Sequence, residues 1–228
     1  MRSLTVLSIV AAAVGLAATS ARAESPFYVS GSVGGYFRES DSGSDQFFHR
    51  DAPTVVVDGT DRRGFDPGVV GAVAVGYRLI PHVRIEGELG FSTETGSTLN
   101  PDTTAPGFAA LNGQTFKHAS GDRFTRFTGE ANVFYDFSPF AGRFTPYVGA
   151  GVGGSANHQT AGEFIASGGT VFHSGSGSST EGFAMVEGGV SIPLTCNLSI
   201  VPAYRYVHYF ADKEDVAHVV KVGLRYAF

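Results

Sequence analysis

The chain has 228 residues and one cysteine, Cys196, which excludes an intramolecular disulfide and a thiolate metal cluster. Sixteen Lys+Arg stand against 21 Asp+Glu, a net charge of −5, and phosphate binding needs a basic face, so nucleic acid is excluded as a partner class. Glycine is frequent (31) and Trp is absent, with 19 Phe and 9 Tyr; so much glycine points away from a helical protein.

The N-terminus reads as an export signal. Arg2 supplies the positive region, Leu4 to Ala18 the apolar run, and Ala21-Arg22-Ala23 a small-x-small cleavage site. Residues 1–23 are therefore set aside as a signal peptide, leaving 24–228 as one domain. Their removal takes away Arg2 and Arg22 and no acid, so net charge moves from −5 to −7. The apolar run is shorter than the ~20 residues a spanning helix needs, and no longer run follows. A chain can still be integral to a membrane if its apolar residues alternate.

They do alternate, and a period of two places successive side chains on opposite faces of a strand. Phe27, Val29, Val33 and Phe37 face away from Tyr28, Ser30, Ser32 and Tyr36. Val69, Val73, Val75 and Tyr77 share a face opposite Arg78. Val83, Ile85, Leu89 and Phe91 oppose Arg84, Glu86 and Glu88. Phe127, Ala131, Val133, Tyr135 and Phe137 oppose Arg126, Thr128, Glu130, Asn132 and Asp136. Thr145 to Ala156 is glycine-rich, with Val148, Ala150 and Val152 on one face. Gly182 to Ile192 sets Ala184, Val186, Val190 and Ile192 against Met185 and Glu187. Leu198, Ile200, Tyr204 and Tyr206 oppose Arg205, and Val220, Val222, Leu224, Tyr226 and Phe228 oppose Lys221 and Arg225.

That makes eight strands. Short connections at 80–82, 138–143 and 193–196 carry Pro, Gly or Asn, which punctuate turns. The others, at 39–66, 92–123, 157–181 and 211–216, include three long segments rich in Gly, Ser, Thr and Asp. Long and short connections alternate strictly, the layout of an outer-membrane barrel with short periplasmic turns and long external loops. The expected fold is all-β: an eight-stranded antiparallel transmembrane up-and-down barrel. Phe27, Tyr77, Phe91, Phe127, Phe137, Tyr147, Tyr226 and Phe228 lie near strand ends, where aromatic girdles sit.

Four segments carry a family resemblance: Phe27-Tyr28-Val29-Ser30-Gly31-Ser32-Val33-Gly34-Gly35, Thr145-Pro146-Tyr147-Val148-Gly149-Ala150-Gly151-Val152-Gly153, Ala203-Tyr204-Arg205-Tyr206, and Val222-Gly223-Leu224-Arg225-Tyr226-Ala227-Phe228. With them the chain resembles the small outer-membrane β-barrels of Gram-negative bacteria, porin-like or opacity-type relatives of the OmpA transmembrane domain. The resemblance implies an outer-membrane location among lipid and lipopolysaccharide. It also implies that Tyr226 and Phe228 form the terminal aromatic signal read by the outer-membrane insertion machinery.

Arg78, Arg84, Glu86, Glu88, Arg126, Glu130, Glu187, Arg205, Lys221 and Arg225 are assigned to the barrel interior, with Asp136. An eight-stranded lumen has room only for its own side chains, and charges buried there must be paired. The first expectation is a salt-bridged plug in a structural, envelope-stabilising surface protein without catalysis or cofactor. Its loops leave room for a host or neighbour-cell ligand. The alternatives are a narrow channel for ions or small solutes and, more distantly, a barrel enzyme acting on lipid A through His173-Ser174, which lacks an evident partner acid. His49, His118, His158 and His173 lie in the loops without a recognised metal spacing. His208 and His218 fall at the membrane interface. Glu39, Asp41 and Asp45 make a solvated acidic loop, or one that bridges lipopolysaccharide phosphates through divalent cations. Thr54 to Val57 suggests a hairpin above the membrane with Asp58-Gly59 as its turn.

Overall fold

The computed structural model describes residues 25–39, 41–49, 52–103, 115–141, 143–165, 169, 171–210 and 214–228. The proposed signal peptide lies outside them. Twelve strands are present: β1 (Phe27–Arg38), β2 (Asp41–His49), β3 (Ala52–Ile80), β4 (Val83–Thr103), β5 (Phe116–Ser120), β6 (Arg123–Asp136), β7 (Thr145–Gln159), β8 (Gly162–Ile165), β9 (Val171–Ser174), β10 (Gly177–Pro193), β11 (Leu198–Phe210) and β12 (Glu214–Ala227).

Eight of them close the barrel. β1 pairs with β12 on one side and β3 on the other, and the circuit runs on through β4, β6, β7, β10 and β11. Every pairing is antiparallel. Closure removes the free edges that an open sheet would expose. Alternation then sorts the faces. Val33, Leu89, Phe127 and Val152 are each more than half exposed on the outside. Arg84, Glu88, Met185 and Tyr209 are buried inside. A contiguous apolar exterior on this scale is foreign to a soluble monomer and matches the lipid-facing band of a membrane barrel.

Aromatic rings collect near the two ends of this exterior. Phe27 meets Tyr77 edge-on at 4.8 Å, and Tyr226 meets Phe228 at 5.3 Å, at the turn end. Phe91 and Phe127 approach to 5.2 Å towards the other end. Tyr147 departs from the girdle expected for it. It shares its face with Ser155, away from Val148 and Val152, and is buried in the lumen.

The segments expected as long loops are largely paired backbone. β3 runs 29 residues and β4 runs 21, far beyond a membrane-spanning length. Their outer halves show no sustained apolar alternation in sequence, so a period of two does not reveal them, yet backbone pairing needs none. Above the barrel, β3 and β4 join β5, β8, β9 and β2 in a second closed ring of six strands. Register shifts between Gly64 and Phe65 and between Asp66 and Val69 mark where β3 leaves the barrel wall, and bulges of this kind bend a strand. The β2–β3 hairpin reverses between His49 and Ala52, where the pairing ends. Asp58 and Gly59 instead sit within β3 opposite Gln46 and Asp45, which corrects the expected turn.

Candidate functional site

The lumen holds three tiers of charge. Alternation on β4, β6, β10, β11 and β12 aims these side chains inward from opposite walls, and closure brings them together. At the turn end, Arg84 Nε donates to Asp136 Oδ1 at 3.1 Å and Nη1 to Tyr28 OH at 2.9 Å. Glu86 Oε2 lies 3.4 Å from Arg84 Nη1. The Arg84 guanidinium also sits over Phe134 at 3.9 Å, and Arg225 covers Tyr28 at 5.2 Å.

The middle tier is built on Arg205. Its guanidinium meets Glu88 at 2.8 and 3.1 Å, Glu130 at 2.7 Å and Glu187 at 2.7 Å. Two parallel contacts to one carboxylate give directional strength that a lysine would lack. Lys221 Nζ adds Glu187 at 2.9 Å and Glu88 at 3.4 Å. Tyr147 OH donates to Glu187 Oε1 at 2.8 Å.

The outer tier joins Arg38 Nη1 to Glu94 Oε1 at 3.3 Å and Arg126 Nε to Asn157 Oδ1 at 2.8 Å. Arg126 Nη1 also donates to Tyr36 OH, which in turn bonds Tyr209 OH at 3.3 Å. Among the described residues, the three tiers contain Arg38, Arg84, Arg126, Arg205, Lys221 and Arg225 against Glu86, Glu88, Glu94, Glu130, Glu187 and Asp136. Six positive groups face six negative ones, so these three tiers are formally neutral.

Of the ten residues assigned to the interior from sequence, Arg84, Glu86, Glu88, Arg126, Glu187 and Arg205 are buried, and Glu130, Lys221 and Arg225 are half-buried. Arg78 is the correction. It has inward parity, but it lies at the turn end of β3 and is exposed, below the tiers. Arg38 and Glu94 lie just beyond the clear apolar alternation, which ends at Phe37 and Phe91. Their even numbers continue the inward series of Tyr36 and of Glu88.

Among the described side chains, the loop histidines His118 and His158 have separate partners. His118 Nε2 lies 3.0 Å from Gly121 O, and His158 Nδ1 lies 3.0 Å from Ser178 Oγ. The side chains of His49 and His173 lie outside the description. Among the described residues, no group of His, Cys, Asp and Glu is arranged to hold a metal ion. Among the described residues, Ser174 meets Asp122 and Gly162. Its hydroxyl donates to Asp122 Oδ1 at 2.8 Å and accepts from Gly162 N at 3.0 Å. Asp122 is fully buried, and its carboxylate also accepts from Gln159 Nε2 at 3.0 Å. Gly121 (φ 72°) and Asp122 (φ 43°) turn the chain from β5 into β6; a Cβ on Gly121 would collide with Ala161 O, so only glycine fits there. Sequence reading missed Asp122 because nothing local marks a carboxylate that joins barrel to ring. On the outer wall, His218 stands between Tyr204 OH (2.6 Å from Nδ1) and Glu39 Oε1 (3.0 Å from Nε2).

The comparisons agree with this architecture. A family model described as an outer membrane protein beta-barrel domain matches residues 6–228. Among solved structures, Neisserial surface protein A is 17% identical, over 91% of this chain and 100% of that one, with a TM-score of 0.51. The outer membrane protease OmpT of Escherichia coli is 10% identical over 92% and 99%, with a TM-score of 0.54. Outer membrane protein OprG of Pseudomonas aeruginosa is 10% identical over 90% and 97%, with a TM-score of 0.50. At these identities the likeness concerns the fold alone. No curated protein sequence matches the chain.

Proposed function

Because the chain belongs to the outer membrane protein β-barrel family and resides in the Gram-negative outer membrane, we propose that it is a plugged, envelope-stabilising barrel whose outer ring of strands makes surface contacts. The observation that carries this reading is the neutral three-tier network centred on Arg205. An ion crossing it would have to break contacts of 2.7–2.9 Å that hold buried charges in place, and exposing even one such charge unpaired costs several kcal/mol. The test is a planar-bilayer recording on purified protein. No channel events at any voltage support the plug, and reproducible single-channel steps refute it in favour of a narrow pore.

The role proposed is one of contact rather than catalysis. The Ser174 hydroxyl is buried between Asp122 and Gly162, where it ties strands together, and this supports a structural part for it. Lipid A analysis from cells with and without the protein checks this, and altered acylation would restore the enzyme reading. Outward contacts to lipopolysaccharide fit the polar cluster of Glu39, His218 and Tyr204 at the outer edge of the apolar band. Tyr226 and Phe228, packed edge-to-face on the terminal strand, suit the insertion signal.

A further inference from the structure

We propose that the β6–β7 turn is a docking finger for one anionic glycerophospholipid, of the phosphatidylglycerol class, in the periplasmic leaflet. Backbone pairing carries the finger past the end of the two strands. Phe137 N donates to Pro146 O at 2.9 Å. Beyond it Phe140 and Phe144 form a bridge, with N to O distances of 2.7 and 3.0 Å in the two directions. Ala141 turns the chain with φ 49°, and Arg143 N donates back to Phe140 O at 3.3 Å. The base of the finger is tied to the neighbouring β3–β4 turn. Asp136 N donates to His82 O at 2.8 Å, and His82 Nδ1 lies 2.9 Å from Asp136 O.

Parity assigns the faces. Phe137 continues the lipid-facing series of Val133 and Tyr135, and Phe144 continues that of Val148. Residues directly opposite each other share a face, so Phe140 joins them. Phe140 is 73% exposed, and Phe137 and Phe144 are exposed beside it. An exposed apolar patch of this kind marks a contact surface. It is continuous with the girdle of the barrel wall. Phe137 meets the Tyr135 ring at 5.2 Å, and Tyr135 stacks on His82 at 5.8 Å. That continuity makes lipid the occupant rather than water. Arg143 is exposed on the same turn, next to Phe144, and among the described residues its guanidinium has no partner.

Charge selects the lipid. At the turn end the described acids are Glu86 and Asp136, both buried and both held by Arg84 in the lumen. Arg84 and Arg225 balance them. Outside that neutral set stand Arg78 and Arg143, both exposed, with no exposed acidic side chain at this end among the described residues. The carboxylate of Phe228 is on the far side. In the circuit β1-β3-β4-β6-β7-β10-β11-β12, the seam between β12 and β1 lies opposite the seam between β6 and β7. Ser25 is at that far seam, its N donating to Phe228 O at 2.9 Å, and Glu24 lies outside the described residues. Arg143 is the cation beside the Phe face. Arg78 is on β3, two strands from β6 or about 10 Å at the usual spacing, and contributes less through salt. A guanidinium grips a phosphate with two parallel hydrogen bonds. A zwitterionic lipid offers the same phosphate, but its own cation meets the positive rim, so the net anionic lipid is preferred. Its acyl chains then lie along the Phe face.

This inference goes beyond the plug and the outer surface contacts and depends on neither. The experiment is native mass spectrometry of the full barrel in detergent, titrated separately with phosphatidylglycerol and phosphatidylcholine of identical chains. Heat-modifiable gel mobility confirms that each variant is folded. One phosphatidylglycerol is expected per barrel, held about fivefold or more tighter than phosphatidylcholine, the gain from one cation near an anionic headgroup. Arg143→Gln should bring the two lipids to within about twofold, and Arg143→Lys should keep most of the preference. Phe140→Ser should weaken both lipids by about threefold or more. Arg123→Gln, which removes an exposed charge at the outer end, should change nothing. Equal retention of the two lipids by the wild type, or no retention, overturns the proposal. A preference that survives Arg143→Gln, or that falls as far in Arg123→Gln, overturns it too. So does displacement of the lipid by excess glycerol phosphate, because the ligand is then a soluble phosphate that needs no acyl chain.

Discussion

Replacing Arg205 with Met tests the central tier most directly. Met fills a similar volume without charge, so the loss is electrostatic rather than a cavity. Three carboxylates, Glu88, Glu130 and Glu187, lose a guanidinium that contacts each within 2.8 Å. Lys221 remains at 2.9 Å from Glu187 and 3.4 Å from Glu88, so those two keep a cation. Among the described residues Glu130 has one ion pair, which it loses, and it keeps the Asn132 amide at 2.9 Å. Removing one partner of a buried pair costs about 3–5 kcal/mol, and the surviving Lys221 contacts place Arg205→Met towards about 3 kcal/mol. The assay is urea unfolding of liposome-reconstituted barrel, followed by the gel shift between folded and unfolded forms; with no Trp in the chain, indole fluorescence offers no signal. Adding Glu130→Gln to Arg205→Met removes the stranded charge and should recover about half of the loss. A single variant as stable as wild type, or a double variant no better than the single, would refute the account of the plug.

Three further outcomes follow from the same geometry. Asp122→Ala leaves Ser174 Oγ and Gln159 Nε2 without their acceptor in a fully buried place. It should cost about 2–4 kcal/mol, read as faster proteolysis of the outer ring with the barrel core intact; equal cleavage rates would count against Asp122 as the joint. Gly149→Val places a Cβ against Val133 O and the Phe134 ring, which are backbone and buried side chain that cannot yield freely. It should destabilise the barrel by about 1–3 kcal/mol in the same urea assay, whereas Gly87→Ala, where a Cβ meets nothing within 4 Å, should be close to neutral. Deleting Phe228 should slow assembly by purified insertion machinery in proteoliposomes while leaving spontaneous folding into detergent nearly unchanged. Equal slowing in both would assign Phe228 a packing role instead.

Much of the barrel was written in the order of the residues. A side chain's face on a strand depends only on parity, so Val83 to Phe91 declared its lipid side and its lumen side without reference to any partner. Strand order followed from short turns, which join antiparallel neighbours. Tyr147 shows how little was needed: the same parity that set Val148 outward sets Tyr147 inward, against its apparent place in a girdle. Tertiary structure decided everything that depends on distance across the lumen. Arg205 reaches Glu88, which is 117 positions away in sequence, and only barrel closure determines which acid meets which base. The second ring likewise escaped the sequence, because β5, β8 and β9 are only five, four and four residues long, too short to show a period, and Phe116 and Phe164 are buried only once the ring is assembled. The outer tier of Arg38, Glu94, Arg126 and Asn157 exists only once β1, β4, β6 and β7 are brought to a common rim. Local pattern sets which way each side chain points, and closure sets what it points at.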